Sequence, residues 1–259
     1  MENNINKGFS KIYKEYEAYE NSFNTTTSKR KTVYNHIEKF ISTSDEILEI
    51  NAGSCIDALY LAKKGCKILA TDVSDGFVEY AKSKIINENI SQLMTFQQLS
   101  FSHIGQLSPQ TFDYIFSNLG GLNCIENPEV VINQFKSILK PKGKVTLVIM
   151  PKATPWEWLW IFKDRKKALR RFNKQGTEAN IEDYNVRTWY HSISSIKKII
   201  QKDYDILDIE NLDVFMPPNF DFCHKHPRLF KGLVWFNKFV KRITPLGIGD
   251  FYIISFQLK

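Results

Sequence analysis

Short apolar runs alternate with amphipathic segments over most of this chain. The apolar runs predict seven strands: Glu46–Ile50, Lys67–Val73, Met94–Leu99, Phe112–Ser117, Lys144–Met150, Tyr204–Val214 and Phe251–Leu258. Apolar residues at three- and four-residue spacing predict the main helices between them: Asp57–Lys64, Phe77–Asn87, Pro128–Leu139 and Ile193–Ile200. Strands that alternate with helices of this length form crossover units, so the pattern predicts an α/β fold with a mostly parallel sheet.

Three regions depart from the alternation. Residues 1–44 predict two helices that cover the sheet, separated by a polar break at residues 24–28. Residues 151–191 are rich in tryptophan and basic side chains and predict a helical lid, while residues 216–249 form a second insertion with an aromatic helix. We therefore expect a single domain over residues 1–259, with a helical cover (1–44), a binding core (45–150), a lid (151–191) and the rest of the sheet (192–259).

Composition places the chain among ordinary globular proteins. Its 259 residues are 43% hydrophobic and 24% charged, and no apolar run approaches the ~20 residues that span a bilayer. The first twenty residues lack the apolar core of a secretory signal, so we expect a cytoplasmic protein. The four cysteines are scattered without a CxxC pair, which predicts free thiols and no zinc site. A net charge of +7 does not by itself identify a partner or a substrate.

The most informative stretch lies between the first two strands. The first strand ends at Ile50, a short loop with Gly53 follows, and the second strand reaches Asp72, which lies 19 residues beyond that glycine. In parallel sheets this arrangement binds nucleotides: the small loop residue lets the ligand approach the backbone, the helix start offers free N–H groups, and the later acidic residue accepts hydrogen bonds from ribose hydroxyls. We therefore predict an adenosine-binding site at the carboxyl edge of the sheet.

The loop also limits which nucleotide fits. A dinucleotide site has three glycines, but here Asn51 and Cys55 stand where the first and third would fall. A pyrophosphate could hardly approach past those side chains, whereas a ligand with adenosine and no phosphate tolerates them better. S-adenosylmethionine is such a ligand.

Three sequence motifs carry a family resemblance. The segments LEINAGSCIDALYLAKKGCKILATDVSDGFVEYA, FDYIFSNLGGLNCI and LKPKGKVTLVIM resemble the first two, the fourth and the fifth motifs of class I S-adenosylmethionine-dependent methyltransferases. The combination of SNLGGLNC with PWE further on is similar to a bacterial small-molecule subgroup. The resemblance implies a Rossmann-like, seven-stranded sheet with helices on both faces and S-adenosyl-L-methionine as cofactor. The many aromatic residues and the mild basic bias, and not the resemblance, favour methyl transfer to an oxygen or nitrogen of a small, partly apolar or acidic molecule.

The resemblance also implies roles for individual residues. Those expected at the methyl donor are Tyr16, Arg30, Glu49, Asn51, Gly53, Asp72, Val73, Ser100, Phe101, Asn118 and Leu119. Position, and not the resemblance, indicates the acceptor residues: Asn123 follows the fourth strand, and Trp156 and Tyr190 belong to the segment expected to roof the acceptor pocket. The sequence leaves the general base open, with His103 and His191 as candidates, and a methyl group activated by a sulfonium needs no metal. Asn51 and Cys55 predict either weaker methyl-donor affinity or a subgroup with its own loop.

Alternatives follow from the same residues. The basic run within residues 163–174 suits a nucleic-acid methyltransferase, although the chain has no Asn-Pro-Pro-Tyr motif to hold a flipped base. Such a run is usually a solvated face, but it would also suit contact with an acidic substrate, a carrier protein or lipid headgroups, so peripheral membrane contact stays open beside a small-molecule substrate. The altered glycine loop suits a non-catalytic protein of this fold, and an NAD(P)-dependent oxidoreductase is disfavoured by the missing glycines. The oligomeric state cannot be predicted.

Overall fold

A computed structural model of the protein describes residues 6–11, 13, 24–181, 184–216 and 225–259. The strands are β1 Glu46–Ile50, β2 Lys67–Asp72, β3 Met94–Gln98, β4 Phe112–Ser117, β5 Leu139–Ile149, β6 Thr177–Ile181, β7 Tyr184–Thr188, β8 Tyr204–Leu212 and β9 Phe251–Leu258. The α-helices with defined bounds are α1 Asn24–Ile37, α2 Ile56–Lys63, α3 Asp75–Asn87, α4 Glu129–Ile138, α5 Pro155–Trp158, α6 Arg165–Leu169, α7 Ile193–Ile200 and α8 Pro227–Ile243. Residues 6–11 and 13 are also helical.

Seven of the strands form one sheet in the order β3-β2-β1-β4-β5-β9-β8. β1 pairs in parallel with β2 and β4, and the β2–β3 and β4–β5 pairs are parallel as well. β9 runs antiparallel to both β5 and β8. The predicted seven-stranded, mostly parallel sheet is confirmed. Strand order reverses between β1 and β4, the place where open α/β sheets bind ligands beyond the carboxyl ends of their strands.

Alternation along the central strands divides the core between the two faces of the sheet. In β1, Ile47 belongs to one apolar cluster and Leu48 to the other, and both side chains are fully buried. In β4, Ile115 packs with Leu48, while Phe116 packs with Ile47. A strand buried on both faces reads as a continuous apolar run, which is why EILEI and FDYIFS were recognisable in the sequence.

Two predictions about local structure were wrong. Residues 24–28 are not a break, because they form the first turn of α1, where Thr25 and Thr26 are buried. Polar residues favour helix starts as well as loops, so their composition alone did not separate the two. Residues 151–191 are not helical throughout: after α5 and α6, strands β6 and β7 form an antiparallel hairpin.

Both insertions emerge at the edge of the sheet that carries the switch point. β8 runs parallel to β5, because both are antiparallel to β9. The chain leaves the carboxyl ends of β5 and β8 into residues 150–192 and 213–250, so these segments lie at the same edge as the loops after β1, β2 and β4. Within the described ranges, no helix combines the length and the apolar character needed to cross a bilayer.

Candidate functional site

Three residues of the loop after β1 adopt the left-handed backbone conformation that glycine favours, although only one of them is a glycine. Asn51, Gly53 and Cys55 all have positive φ, at 59°, 50° and 58°. This left-handed conformation costs little for glycine and is tolerated by asparagine, but it is uncommon for other residues. Cys55 is fully buried, and its thiol donates a hydrogen bond to the carbonyl of Gly53 at 3.6 Å. The cysteine side chain therefore belongs to the core and leaves the loop surface open.

The side chain of Asn51 is accommodated by a second glycine. A Cβ atom placed on Gly121 would lie only 2.6 Å from Cγ and from Oδ1 of Asn51. The hydroxyl of Ser117 donates to the same Oδ1 at 3.4 Å. Asn51 thus occupies the space that Gly121 leaves empty, between the loops after β1 and β4.

Asp72, at the end of β2, ties the second strand to this loop. Its Oδ2 accepts the backbone N–H of Gly53 at 2.9 Å, and its Oδ1 accepts that of Ser74 at 2.9 Å. Burial raises the pKa of the Asp72 carboxyl, and the two backbone N–H groups act against that shift. Each carboxylate oxygen has more than one lone pair, so capacity remains for ligand hydroxyls.

A buried ionic cluster supports the loop from α2. Oδ2 of Asp57, in the first turn of α2, accepts from Nη1 of Arg30 at 2.6 Å and from Nδ2 of Asn118 at 3.0 Å. Its Oδ1 accepts from the hydroxyl of Tyr34 at 2.5 Å. Helix α1, helix α2 and the loop after β4 therefore meet at one carboxylate, and the position of Asn118 is fixed by it.

Glu49 in β1 lies beside this cluster without a complete set of partners. It is 1% exposed, and its Oε2 has no hydrogen-bond partner among the described residues. Burial raises the pKa of Glu49 well above its usual value, the nearby carboxylate of Asp57 raises it further, and Arg30 acts in the opposite direction. A cationic ligand beside this carboxyl would favour its charged form.

These groups surround a crevice of about 790 Å³, including the part open to solvent. Eight of the predicted methyl-donor residues line it: Arg30, Asn51, Gly53, Asp72, Val73, Phe101, Asn118 and Leu119. Glu49 and Ser100 adjoin it without lining it, and the Ser100 hydroxyl accepts the N–H of Ser102 at 3.2 Å. Tyr16 lies outside the described residues.

The crevice also contains residues that sequence reasoning missed. They include Phe9, Ser54, Asp57, Phe77, Gly120, Gly121 and Cys124. Asp57 had a usable signal, since it is an acidic residue in the first turn of the helix that follows the glycine loop. The aromatic rings of Phe9 and Phe77 lie 6.3 Å apart, centroid to centroid, so the amino-terminal helix closes one side. No sequence spacing links residues so far apart along the chain.

The helix around Phe9 is held at the start of α3 by small residues. The Ser10 hydroxyl accepts the backbone N–H of Gly76 at 3.0 Å and bonds the hydroxyl of Ser74 at 2.9 Å. A Cβ atom on Gly76 would approach Cα of Ser10 to 2.8 Å, so this contact requires the glycine. The expected amino-terminal cover is in contact with the crevice at this point.

The predicted acceptor residues do not line the crevice. Asn123 is fully buried: its Nδ2 donates to the carbonyls of Met150 at 3.1 Å and Trp189 at 2.6 Å, and its Oδ1 accepts the N–H of Met150. These contacts join the loop after β4 to the backbone of Met150 and Trp189. Trp156 packs edge-on against Phe215 at 5.3 Å. Tyr190 is buried with the guanidinium of Arg171 5.0 Å above its ring.

Neither histidine candidate lies in the crevice. Burial lowers the pKa of His191, and its Nε2 is 3.0 Å from the carbonyl oxygen of Ile125. His103 is exposed within the short helix Phe101–Leu107. Across the part of the chain that the structure describes, no group of three or more histidine, cysteine or acidic residues is arranged to hold a metal ion.

Comparison with known proteins agrees with this geometry. Residues 48–147 match a protein family described as a methyltransferase domain, and this span includes the crevice loops after β1, β2 and β4. A search of curated proteins found no match to the sequence.

Solved structures share the fold at low sequence identity. An S-adenosylmethionine-dependent methyltransferase from Methanosarcina mazei is 15% identical, with a TM-score of 0.58 over 86% of this chain and 96% of that one. One from Mesorhizobium loti is 13% identical, with a TM-score of 0.56 over 86% and 96%. Magnesium protoporphyrin IX methyltransferase from Synechocystis PCC 6803, solved with bound SAH, is 14% identical, with a TM-score of 0.59 over 91% and 85%.

Proposed function

We propose that this chain is a class I methyltransferase whose crevice binds S-adenosyl-L-methionine, and that a small, partly apolar acceptor is methylated on oxygen or nitrogen beside this methyl donor. The observation that carries the proposal is the loop after β1. It preserves positive φ at Asn51, Gly53 and Cys55 and donates the Gly53 N–H to Asp72. This backbone accepts adenosine closely, while the Asn51 side chain disfavours a pyrophosphate.

The residues present fit the methyl donor at both of its ends. Asp72 has lone pairs left for the ribose hydroxyls, and Val73, Phe77 and Phe101 provide apolar surface for the adenine. At the other end, the Oε2 of Glu49 lacks a partner among the described residues, and a cationic methyl donor suits a buried carboxylate. Asn118, fixed by Asp57, would contact the methionine part.

The methyl donor, when bound, supplies a methyl group already activated by a sulfonium. The chain then has to hold the acceptor in line at a near-attack distance of ~3–3.5 Å and to exclude water. The loop after β4 lines the crevice, and Asn123 of the same loop is hydrogen-bonded to the carbonyls of Met150 and Trp189. No general base is assigned, since His103 and His191 both lie away from the crevice lining.

Two features support a partly apolar acceptor. Phe9, Phe77, Phe101 and Leu119 line the crevice. The lid arginines are already engaged: Arg170 and Arg171 both donate to the carboxylate of Glu157, and Arg171 also donates to Asp250 at 2.7 Å. Arginines that neutralise internal carboxylates are poorly placed to bind an acidic acceptor as well.

Isothermal titration calorimetry with S-adenosylmethionine tests the proposal. Asp72→Ala should weaken binding by ~10-fold or more, because hydrogen bonds to charged groups contribute ~1.5–3 kcal/mol each. The matched control is Glu79→Ala, which removes an exposed carboxylate further along the chain in α3 and should leave affinity unchanged. Equal affinity in the wild type and Asp72→Ala would contradict the ribose role, and no binding by the wild type would contradict the proposal itself.

A further inference from the structure

Helix α8 presents large apolar side chains to solvent. Trp235 is 73% exposed and Phe239 57%, and Leu229, Phe236 and Ile243 are exposed as well. At 3.6 residues per turn these five positions fall within about one third of the helix circumference. The sequence of α8 has five basic residues and no acidic one. The helix is therefore amphipathic, with an apolar stripe facing outward and a basic flank beside it.

The lid carries a second surface of the same composition. Leu159 and Phe172 are exposed there, and Phe162 is fully exposed. The neighbouring exposed basic residues are Lys163, Arg165, Lys166, Lys167 and Lys174. The ammonium groups of Lys163 and Lys167 lie 5.4 Å and 4.2 Å from the ring centroid of Trp160, so cations and aromatic rings are interleaved.

The two surfaces meet through an aromatic contact. The Phe215 ring packs edge-on against Trp156 of α5 at 5.3 Å and against Phe236 of α8 at 5.8 Å. Both segments leave the edge of the sheet that holds the crevice. We name the exposed residues of α8 and of residues 158–174 together the docking face.

We propose that the docking face binds the surface of an anionic lipid bilayer and that the methyl acceptor is an amphiphile drawn from that bilayer. The second half of this statement rests on the proposed function, whereas the first half does not. An amphipathic helix with aromatic residues on one side and basic residues on the other lies in a membrane interface, burying its apolar stripe among the headgroups. Anionic lipids attract basic side chains at the same depth.

Charge and apolar exposure together favour a bilayer over other occupants. A second copy of this chain would bring two basic faces together, and like charges oppose that contact. A nucleic acid would neutralise the lysines and arginines but would leave Trp235, Phe239 and Phe162 in water. An anionic bilayer matches both the positive charge and the exposed apolar side chains of the docking face.

Co-sedimentation of the full chain with vesicles tests the docking face. The protein should bind vesicles of phosphatidylcholine with 30% phosphatidylglycerol far better than vesicles of phosphatidylcholine alone. Lys231→Gln with Lys238→Gln should weaken binding by about 30-fold. Trp235→Glu with Phe239→Glu should weaken it by about 10-fold or more for each apolar side chain withdrawn. The matched control is Ile86→Glu, which changes an equally exposed apolar residue (74%) on α3 and should bind as the wild type does.

Several outcomes would overturn the inference. They are absence of binding to anionic vesicles, equal binding to neutral ones, unchanged binding by the Trp235/Phe239 variant, or self-association that this variant abolishes. Tight, salt-sensitive binding to single-stranded RNA without vesicle binding would point to the nucleic-acid alternative instead.

Two further readouts separate this inference from the proposed function. Calorimetry with the methyl donor should give the same affinity for the docking-face variants as for the wild type, because none of those residues lines the crevice. With methyl-labelled donor and vesicles of total bacterial lipid extract, the wild type should label a lipid component and the Trp235/Phe239 variant should label much less. Vesicle binding without any label would remove the acceptor claim and leave the docking face intact.

Discussion

The two halves of the sheet edge are built on opposite principles. On the methyl-donor side, beyond β1, β2 and β4, Asp57 is hydrogen-bonded to Arg30, Tyr34 and Asn118, and the loop backbone is fixed in left-handed conformations. On the other side, beyond β5 and β8, large apolar and basic side chains lie in solvent. Satisfied buried polar networks make a site rigid, whereas exposed amphipathic helices adapt to a surface. The side that holds the crevice is therefore preorganised for a ligand. The side beyond β5 and β8 instead offers exposed side chains that can adjust to a partner surface.

The largest effect should come from removing the carboxylate on which the rigid side depends. Asp57→Ala leaves the buried guanidinium of Arg30 without its closest acceptor at 2.6 Å. Breaking one partner of a buried ion pair costs ~3–5 kcal/mol, and we expect a loss of that size in the free energy of unfolding measured with urea. Glu79→Ala is the control, because Glu79 forms an exposed pair with Lys82 and should change stability little. A loss below ~1 kcal/mol at Asp57 would remove the claim of rigidity.

The next effect concerns the contact between Asn51 and Gly121. Gly121→Ala should push the Asn51 side chain toward the crevice, since the added Cβ would lie 2.6 Å from Cγ. Overpacking of this kind costs ~1–3 kcal/mol, and we expect both stability and methyl-donor affinity to fall. Asn51→Gly in the same chain should restore affinity, because glycine adopts the positive φ freely and relieves the clash. A double-mutant cycle by calorimetry checks this, and purely additive effects would show that the two residues do not interact.

This pair also shows how much of the site the sequence could predict. Motif spacing predicts the strand ends and the positions of Gly53 and Asp72. Both residues line the crevice. The positive φ angles of Asn51 and Cys55 were not readable, because those residue types more often adopt other conformations. The compensating Gly121 lies 70 residues away in the chain and becomes relevant only through the β1–β4 pairing.

The other half of the edge was much less predictable. The sequence predicts helix where the structure has the β6–β7 hairpin, since a short two-stranded element has weak periodicity. Asn123 was placed at the acceptor because it follows β4, yet its amide bonds the backbone of Met150 and Trp189. The exposure of Trp235 and Phe239 depends on which face of α8 contacts the sheet. Sequence patterns record periodicity, but they do not record which side of a helix is covered.

A pH experiment examines Glu49 on the rigid side. Its raised pKa means that the carboxyl is neutral at low pH and becomes charged only as the pH passes that pKa. Affinity for the cationic methyl donor should therefore increase with pH, by at most ~10-fold per unit, and then level off. Glu49→Gln cannot ionise, so its affinity should stay flat between about pH 5 and 7 when titrated with the same methyl donor. Parallel pH profiles for the two proteins would exclude Glu49 as the group that responds.

The smallest effect is expected at Phe162, which is best compared with a phenylalanine from the other half, Phe77. Phe77 lines the crevice with only 2% of its side chain exposed, so Phe77→Ala should lower the free energy of unfolding by ~3–5 kcal/mol. Phe162 is fully exposed in the segment 151–191. Phe162→Ala should therefore change the free energy of unfolding by no more than ~0.5 kcal/mol, although the same atoms are removed. Urea denaturation of both variants measures the difference. A substantial loss at Phe162 would mean that this side chain packs against the protein in solution, and the docking face would then lose its most exposed apolar residue.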